Sequence, residues 1–239
     1  MLAEFVQELL KLKRPETVEV HGRPYATGTL QPIATPMASP VKVHSLTGLV
    51  DLIRADLGNV KQMDVAIHVL SEAQVDVIHL GTDIWAKRQT YLTALRPPVD
   101  AFKFGEWLST EQFIIGLHAL FFPTPEQKEL LALCSTVKSE SLAVSEDDGI
   151  SQRATFGRSI AFKEERAVKP IVSLTPYRTF SEVDQPASNF LFRMRQVNEG
   201  KAVQCMLMEA DGGVWRQRAM DAIKTWFEDQ SLDDIKIVS

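Results

Sequence analysis

Cysteine is scarce: Cys134 and Cys205 are the only two in 239 residues, and each stands among apolar neighbours. That number excludes a disulfide framework and reads as two buried free thiols in a reducing compartment. Glycine and proline are modest at 12 each and no low-complexity tract or repeat occurs, which excludes fibrous and wholly disordered classes. No apolar run approaches the roughly 20 residues that cross a bilayer, so no membrane partner is expected. Glu4 and Glu8 precede Lys11, Lys13 and Arg14, the reverse of the charge order in a secretory signal. Basic charge is not in excess either. A net charge of −5 argues against a protein whose main work is gripping duplex phosphates.

Catalytic signatures are missing as well. There is no GxSxG elbow, no phosphate-cradling glycine loop and no GxGxxG. The five histidines, His21, His44, His68, His79 and His118, include no pair at helical metal-ligand spacing, so neither a metal nor another cofactor is expected. One pairing is worth placing: a hairpin turn centred between Ala73 and Gln74 would set His68 opposite His79 on one strand face.

What is present is a core. Hydrophobic residues make up 45% of the chain and their spacing alternates between helical and strand periods. Leu2, Phe5, Val6, Leu9 and Leu10 stripe a short N-terminal helix that Pro15 ends, and these five residues are expected at an oligomer contact. A strand at 17–21 follows, then a proline-punctuated arm at 27–40 able to reach a partner. A helix from Leu46 to Leu57 with Ser45 as N-cap precedes an antiparallel meander of strands at 64–70, 75–80 and 89–95. Pro97 and Pro98 mark a boundary that divides the chain into 1–98 and 99–239. Ser109 with Gln112 and Thr124 with Gln127 form capping boxes for two tandem helices. Beyond Leu142 the β pattern returns, with turns at Asp147–Gly149 and Asn198–Gly200. A last helix carries Trp215, Ala219, Ile223, Trp226 and Phe227 on its buried face, and the acidic tail after it is expected to fray. The fold class is α+β: an N-terminal antiparallel meander with helices, a helical middle, and a C-terminal antiparallel sheet closed by the terminal helix.

Several segments form a set. Ser145 to Gln152, Thr175-Pro176-Tyr177-Arg178-Thr179-Phe180, Glu182 with Gln185-Pro186, Phe192-Arg193-Met194, and Glu209-Ala210-Asp211-Gly212-Gly213 before Trp215 resemble the YfdQ-like family of bacteriophage and prophage proteins, a domain of unknown function. Val43 to Val50, Phe104-Gly105-Glu106 and Phe113-Ile114-Ile115 extend the resemblance over nearly the whole chain. It implies a phage gene product made in the cytoplasm of the bacterial host, among non-structural genes serving DNA metabolism or interference with the host. The family has no assigned activity, so the resemblance carries over no catalytic residue.

Charge then supplies the candidate ligand site. Arg153, Arg158, Lys163, Arg178, Arg193 and Arg195 belong to a basic stretch between two acidic ones. Alternation in 190–195 places Arg193 and Arg195 on one strand face and Phe190, Phe192 and Met194 on the other. Three readings follow. The first is a non-enzymatic phage accessory protein acting as a homo-oligomer. The second is a binding module for single-stranded nucleic acid or a phosphorylated ligand on the basic strand face. The third is a metal-dependent phosphoesterase using Glu209 and Asp211 with Asp147 and Asp148.

Overall fold

The computed structural model describes the chain apart from residues 1–4, 7–15, 27, 29–37, 58–63, 82–87, 140, 148–151, 160–161, 198–201 and 233–234, and apart from the side chains of residues 23, 137–147 and 152–168. Helices and sheets coexist with largely antiparallel pairing, the α+β class that the patterning predicts. The chain groups into two compact units, Met1–Ala38 and Ser39–Ser239.

In the first unit, β1 (Thr17–Val20) and β2 (Arg23–Ala26) form an antiparallel hairpin. His21 and Gly22 take positive φ of 53° and 75° at its turn. Phe5 and Val6 are helical, as their stripe predicts, and both are exposed. Leu2, Leu9, Leu10 and most of the proline-rich arm lie outside the described residues.

The second unit holds two cores. The meander is present as β4 (Val65–Ser71), β5 (Gln74–His79) and β6 (Thr90–Leu95). It is widened by parallel edge strands, β3 (Val41–Val43) beside β6 and β14 (Lys236–Val238) beside β4. The tail therefore does not fray at residues 236–238, because Lys236 to Val238 find open backbone groups along Ala66 to His68. Alternation puts Val65, Ile67, Val69, Val75 and Val77 on one face, all at most 4% exposed. Helix α1 (Leu46–Arg54) covers that face with Leu46, Leu49, Val50 and Ile53. It is capped as expected, Ser45 Oγ accepting from Gly48 N at 3.0 Å, but stops at Arg54, three residues early, with Asp56 taking a positive φ.

The hairpin turn corrects the histidine pairing. Ser71 pairs with Gln74, so the turn centres on Glu72 and Ala73, His68 faces Asp76 and His79 faces Val65. The displaced turn and a bulge between Val69 and Ser71 together shift the pairing by three positions and separate the two rings.

The second core lies between the antiparallel sheet β11 (Ile171–Leu174), β12 (Ser188–Val197), β13 (Ala202–Glu209) and β7 (Leu108–Ser109) and two helices, α2 (Thr110–Leu120) and α3 (Pro125–Ser139). Both capping hydroxyls accept as predicted, Ser109 from Gln112 N at 3.3 Å and Thr124 from Gln127 N at 3.1 Å. Phe113, Leu117, Phe121, Leu130, Phe190 and Phe192 fill the interior. Cys134 and Cys205 are both buried and free, as their setting predicts. Contact with Cys205, then burial, pushes the Cys134 thiol far up, so it is protonated and inert at neutral pH. A third sheet, β8 (Ser141–Asp147), β9 (Gln152–Ser159) and β10 (Phe162–Val168), is an antiparallel meander.

Terminal helix α4 (Val214–Glu228) does not close the C-terminal sheet. Its Ile223 and Phe227, both fully buried, belong to the first core beside Val65 and Ile67. An apolar stripe demands burial without naming the surface that provides it. With β14 and α4 both returning to the first sheet, elements from either side of Pro97 and Pro98 share one core.

The two cores are joined by the 175–187 loop between β11 and β12. Phe122 N bonds Thr175 O and Tyr177 N bonds Leu120 O, tying the loop's start to α2. Phe180 and Val183 then enter the first core, and Glu182 Oε1 accepts from Leu46 N at 2.8 Å at the start of α1. Gln185 holds the loop's shape: its carbonyl accepts from Arg178 N and Thr179 N, and its amide donates to Phe180 O.

Candidate functional site

A cleft of about 330 Å3 opens where the elements of both cores meet. Its lining includes Glu72 and Ala73 of the β4–β5 turn, Arg96 and Asp100, Phe102 and Phe104, Tyr177 and Arg178, Glu209, and Trp215 with Arg216. The segments singled out above as Thr175–Phe180 and Glu209–Trp215 are therefore neighbours in space, although about 30 residues separate them in the chain.

Arg178 is the centre of the arrangement. Its side chain is 9% exposed, with Nη1 donating to Glu209 Oε1 at 2.6 Å and Nη2 to Ser188 Oγ at 2.6 Å. The guanidinium carbon stands 4.1 Å from the Trp215 ring centre, 5.5 Å from that of Phe190 and 5.9 Å from that of Phe104. Such faces attract a cation most where water is excluded. Burial pulls the guanidinium pKa down and the charges of Glu209 and Asp211 push it back, yet an arginine so placed stays charged at physiological pH. Arg216 covers Trp215 as well, at 4.8 Å, and its Nε reaches Glu72 Oε1 at 3.8 Å.

The route from β13 into α4 needs glycine. Gly212 and Gly213 have φ of 64° and 81°, the left-handed region, and a Cβ on Gly213 would meet Arg216 Nη1 at 2.9 Å. Asp211 holds this turn, its Oδ1 accepting from Gly213 N at 3.0 Å while the Ser188 hydroxyl donates to the same carboxylate. A relay runs from Arg178 through Ser188 to Asp211.

Burial pushes the Asp211 carboxyl up, but Ser188, the Gly213 N–H and the charges of Arg178 and Arg218 together outweigh it and hold the group below its ordinary range. A carboxyl more acidic folded than unfolded stabilises the fold above its unfolded pKa, and that contribution is lost as pH falls through the folded value. The stability gap between wild type and Asp211→Asn is accordingly expected to shrink below about pH 4. Urea titrations from about pH 6 to about pH 3 would measure it; a gap constant over that span would contradict the assignment.

The other sequence-predicted site residues lie elsewhere. Arg193 and Arg195 do project from the β12 face opposite Phe190, Phe192 and Met194, as the alternation predicts. Arg195 is exposed, bonded to Gln204 Oε1 at 2.9 and 2.7 Å and stacked 4.4 Å over Trp107. Arg178 lies against the inner face of that strand, on Phe190 and Ser188, so it does not share a surface with them. Arg153, Arg158 and Lys163 sit on the separate third sheet, and their side chains lie outside the described residues, as does Asp148. Glu209 and Asp211 are close together but are held by Arg178, Ser188 and Gly213. No group of three or more His, Cys, Asp or Glu among the described residues could hold a metal ion. No helix there is long and apolar enough to cross a membrane.

Charge counting along the sequence could not find Ser188, Glu72 or Arg96, which carry no motif of their own. The usable signal was the recurrence of Arg178, Glu209 and Trp215 in segments already singled out. Compared with family models, with curated proteins and with solved structures, the chain matches none.

Proposed function

We propose that this chain is a bacteriophage accessory protein that works by binding rather than catalysis, as a homo-oligomer in the cytoplasm of the bacterial host. The observation that carries the reading is the character of the first unit. Every described residue in it is exposed, and Phe5, Val6, Val18, Val20 and Tyr25 are between 43% and 63% exposed. A two-stranded hairpin is marginal on its own, and contiguous apolar exposure marks contact with another molecule. A second copy offers the same surface and closes the contact by symmetry.

Binding in place of chemistry is supported by the state of the acids at the cleft. Glu209 Oε1 accepts from Arg178 and Asp211 Oδ1 from Gly213 N, contacts that hold the structure of the cleft. The phage context rests on the resemblance of the segments quoted above. Size-exclusion chromatography with light scattering at micromolar concentration is expected to give a multiple of 26.8 kDa. Val18→Glu combined with Tyr25→Glu is expected to return the mass to one chain. A wild-type protein that elutes as a single chain throughout would end the oligomer reading.

A further inference from the structure

A groove of about 490 Å3 runs between α3 and β11, and β11 is an edge strand of its sheet. Antiparallel pairing turns the backbone groups of alternate residues away from the neighbouring strand. Phe192 N bonds Pro170 O at 2.9 Å, with Val172 opposite Phe190 and Leu174 opposite Ser188, so Pro170, Val172 and Leu174 spend their groups on β12. Those of Ile171 and Ser173 point the other way. Farther along the same edge the outward groups are taken: Thr175 O accepts from Phe122 N at 2.8 Å and Tyr177 N donates to Leu120 O at 3.0 Å, with Phe121 bridged to Pro176. The chain then leaves the edge and enters α3 at Pro125. Pairing along β11 is thus broken off, and the N–H and C=O groups of Ile171 and Ser173 have no partner among the described residues.

Both residues are exposed and line the groove. An unpaired edge is a template for another strand, and one beside an apolar groove offers side-chain contacts as well as backbone bonds. Side chains of an added strand would alternate between two surfaces. On the α3 side they would meet Leu130, Leu133 and Val172, the floor of the groove. On the other side they would extend the cross-strand row of Ile171, Leu191 and Met208, whose ends are 54% and 45% exposed. Charge narrows the choice of occupant. The rim carries Glu126, Glu129 and one cation, Lys169, which pairs with Glu129 at 2.7 Å, so it keeps a net negative charge. Cations are attracted to such a rim and phosphates repelled, which argues against nucleic acid.

We propose that this groove docks an extended peptide segment of a partner protein as an added strand on β11, with β-branched or aromatic residues at alternate positions and a lysine or arginine facing Glu126. Main-chain bonds to Ile171 and Ser173 hold the segment, and the groove floor selects its side chains. A second copy meeting edge to edge would set one acidic rim against another, which disfavours it as the occupant. The site belongs to the second unit and is independent of the oligomer contact assigned to the first.

Selection of a display library of short random peptides on the full chain, followed by fluorescence anisotropy with the most enriched peptide, tests it. Enriched sequences are expected to alternate β-branched or aromatic residues with polar ones and to carry a lysine or arginine. Ser173→Pro removes an outward N–H without breaking a bond to β12, a place where an edge strand tolerates proline, and is expected to weaken binding about tenfold. Ser173→Ala keeps the N–H and is expected to bind as wild type. Methylating alternate backbone nitrogens of the peptide is expected to abolish binding for one alternate set and to spare it for the other. Glu126→Lys, on an exposed position, is expected to weaken binding severalfold even if Ser173→Pro perturbs folding. Val18→Glu with Tyr25→Glu is expected to leave it unchanged, which separates this site from the oligomer contact. Absence of any enriched peptide overturns the proposal, as does equal affinity in a folded Ser173→Pro protein or in Glu126→Lys, or equal tolerance of both methylated sets. A fall in the mass of Ser173→Pro by light scattering also overturns it, since a second copy would then be the occupant.

Discussion

Arg178→Met is expected to destabilise the protein by about 3–5 kcal/mol, because it strips the charge from a buried pair and leaves the partner behind. Glu209, whose side chain is 30% exposed, would lose the cation paired with it at 2.6 Å, and Ser188, 2% exposed, would lose the donor that orients its hydroxyl toward Asp211. The aromatic faces of Trp215, Phe190 and Phe104 would still be packed, so the loss isolates the electrostatic part. Lysine should not rescue it fully. An ammonium keeps the charge but cannot serve Glu209 and Ser188 through a planar fork, so Arg178→Lys is expected to lose roughly 1–2 kcal/mol. Urea denaturation followed by circular dichroism reads both values. A methionine variant within about 1 kcal/mol of wild type would mean that the pair is not the keystone its geometry indicates.

Phe180→Ala should cost as much by a different route. The ring comes from a loop, yet it is 0% exposed and sits among Leu49, Val77, Ile223 and Phe227 in the first core. Truncation removes its transfer energy and leaves a cavity that two helices and a sheet cannot collapse into, about 3–5 kcal/mol for a phenylalanine of this kind. Phe180→Leu, which refills most of the volume, is expected to lose roughly half of that. Two residues apart, Phe180 anchors the loop and Arg178 uses it, so the two substitutions should combine less than additively. Full additivity in the double variant would show that the loop's anchor and the cleft are independent.

The parts of this fold that were legible in the sequence are those written in short-range pattern. Alternating valines and isoleucines located β4 and β5 to within a residue, and Ser109, Thr124 and Ser45 announced three helix starts because a cap acts within one turn. Three-residue strands carry no such period. Val41–Val43 and Lys236–Val238 are defined only by the neighbours they meet, and nothing in either triplet points to those neighbours. The same limit explains α4, whose stripe was read correctly but assigned to the wrong sheet. At the site, Arg178 was noticed for its share in a regional charge. Its role comes from enclosure by rings and a carboxylate, and enclosure by residues from distant segments has no trace in local composition.

Lys236 stands opposite Ala66, roughly 170 positions away, so the first sheet acquires this edge strand only long after β4 has been translated. Until then the backbone of β4 presents open donors and acceptors along a hydrophobic strand, a template for mispairing with other nascent chains. Contacts of that span slow folding, because a large loop must close before they can reward it. Chaperone dependence on expression, relieved at low temperature, would be the trace of an edge strand that pairs across so long a stretch of chain.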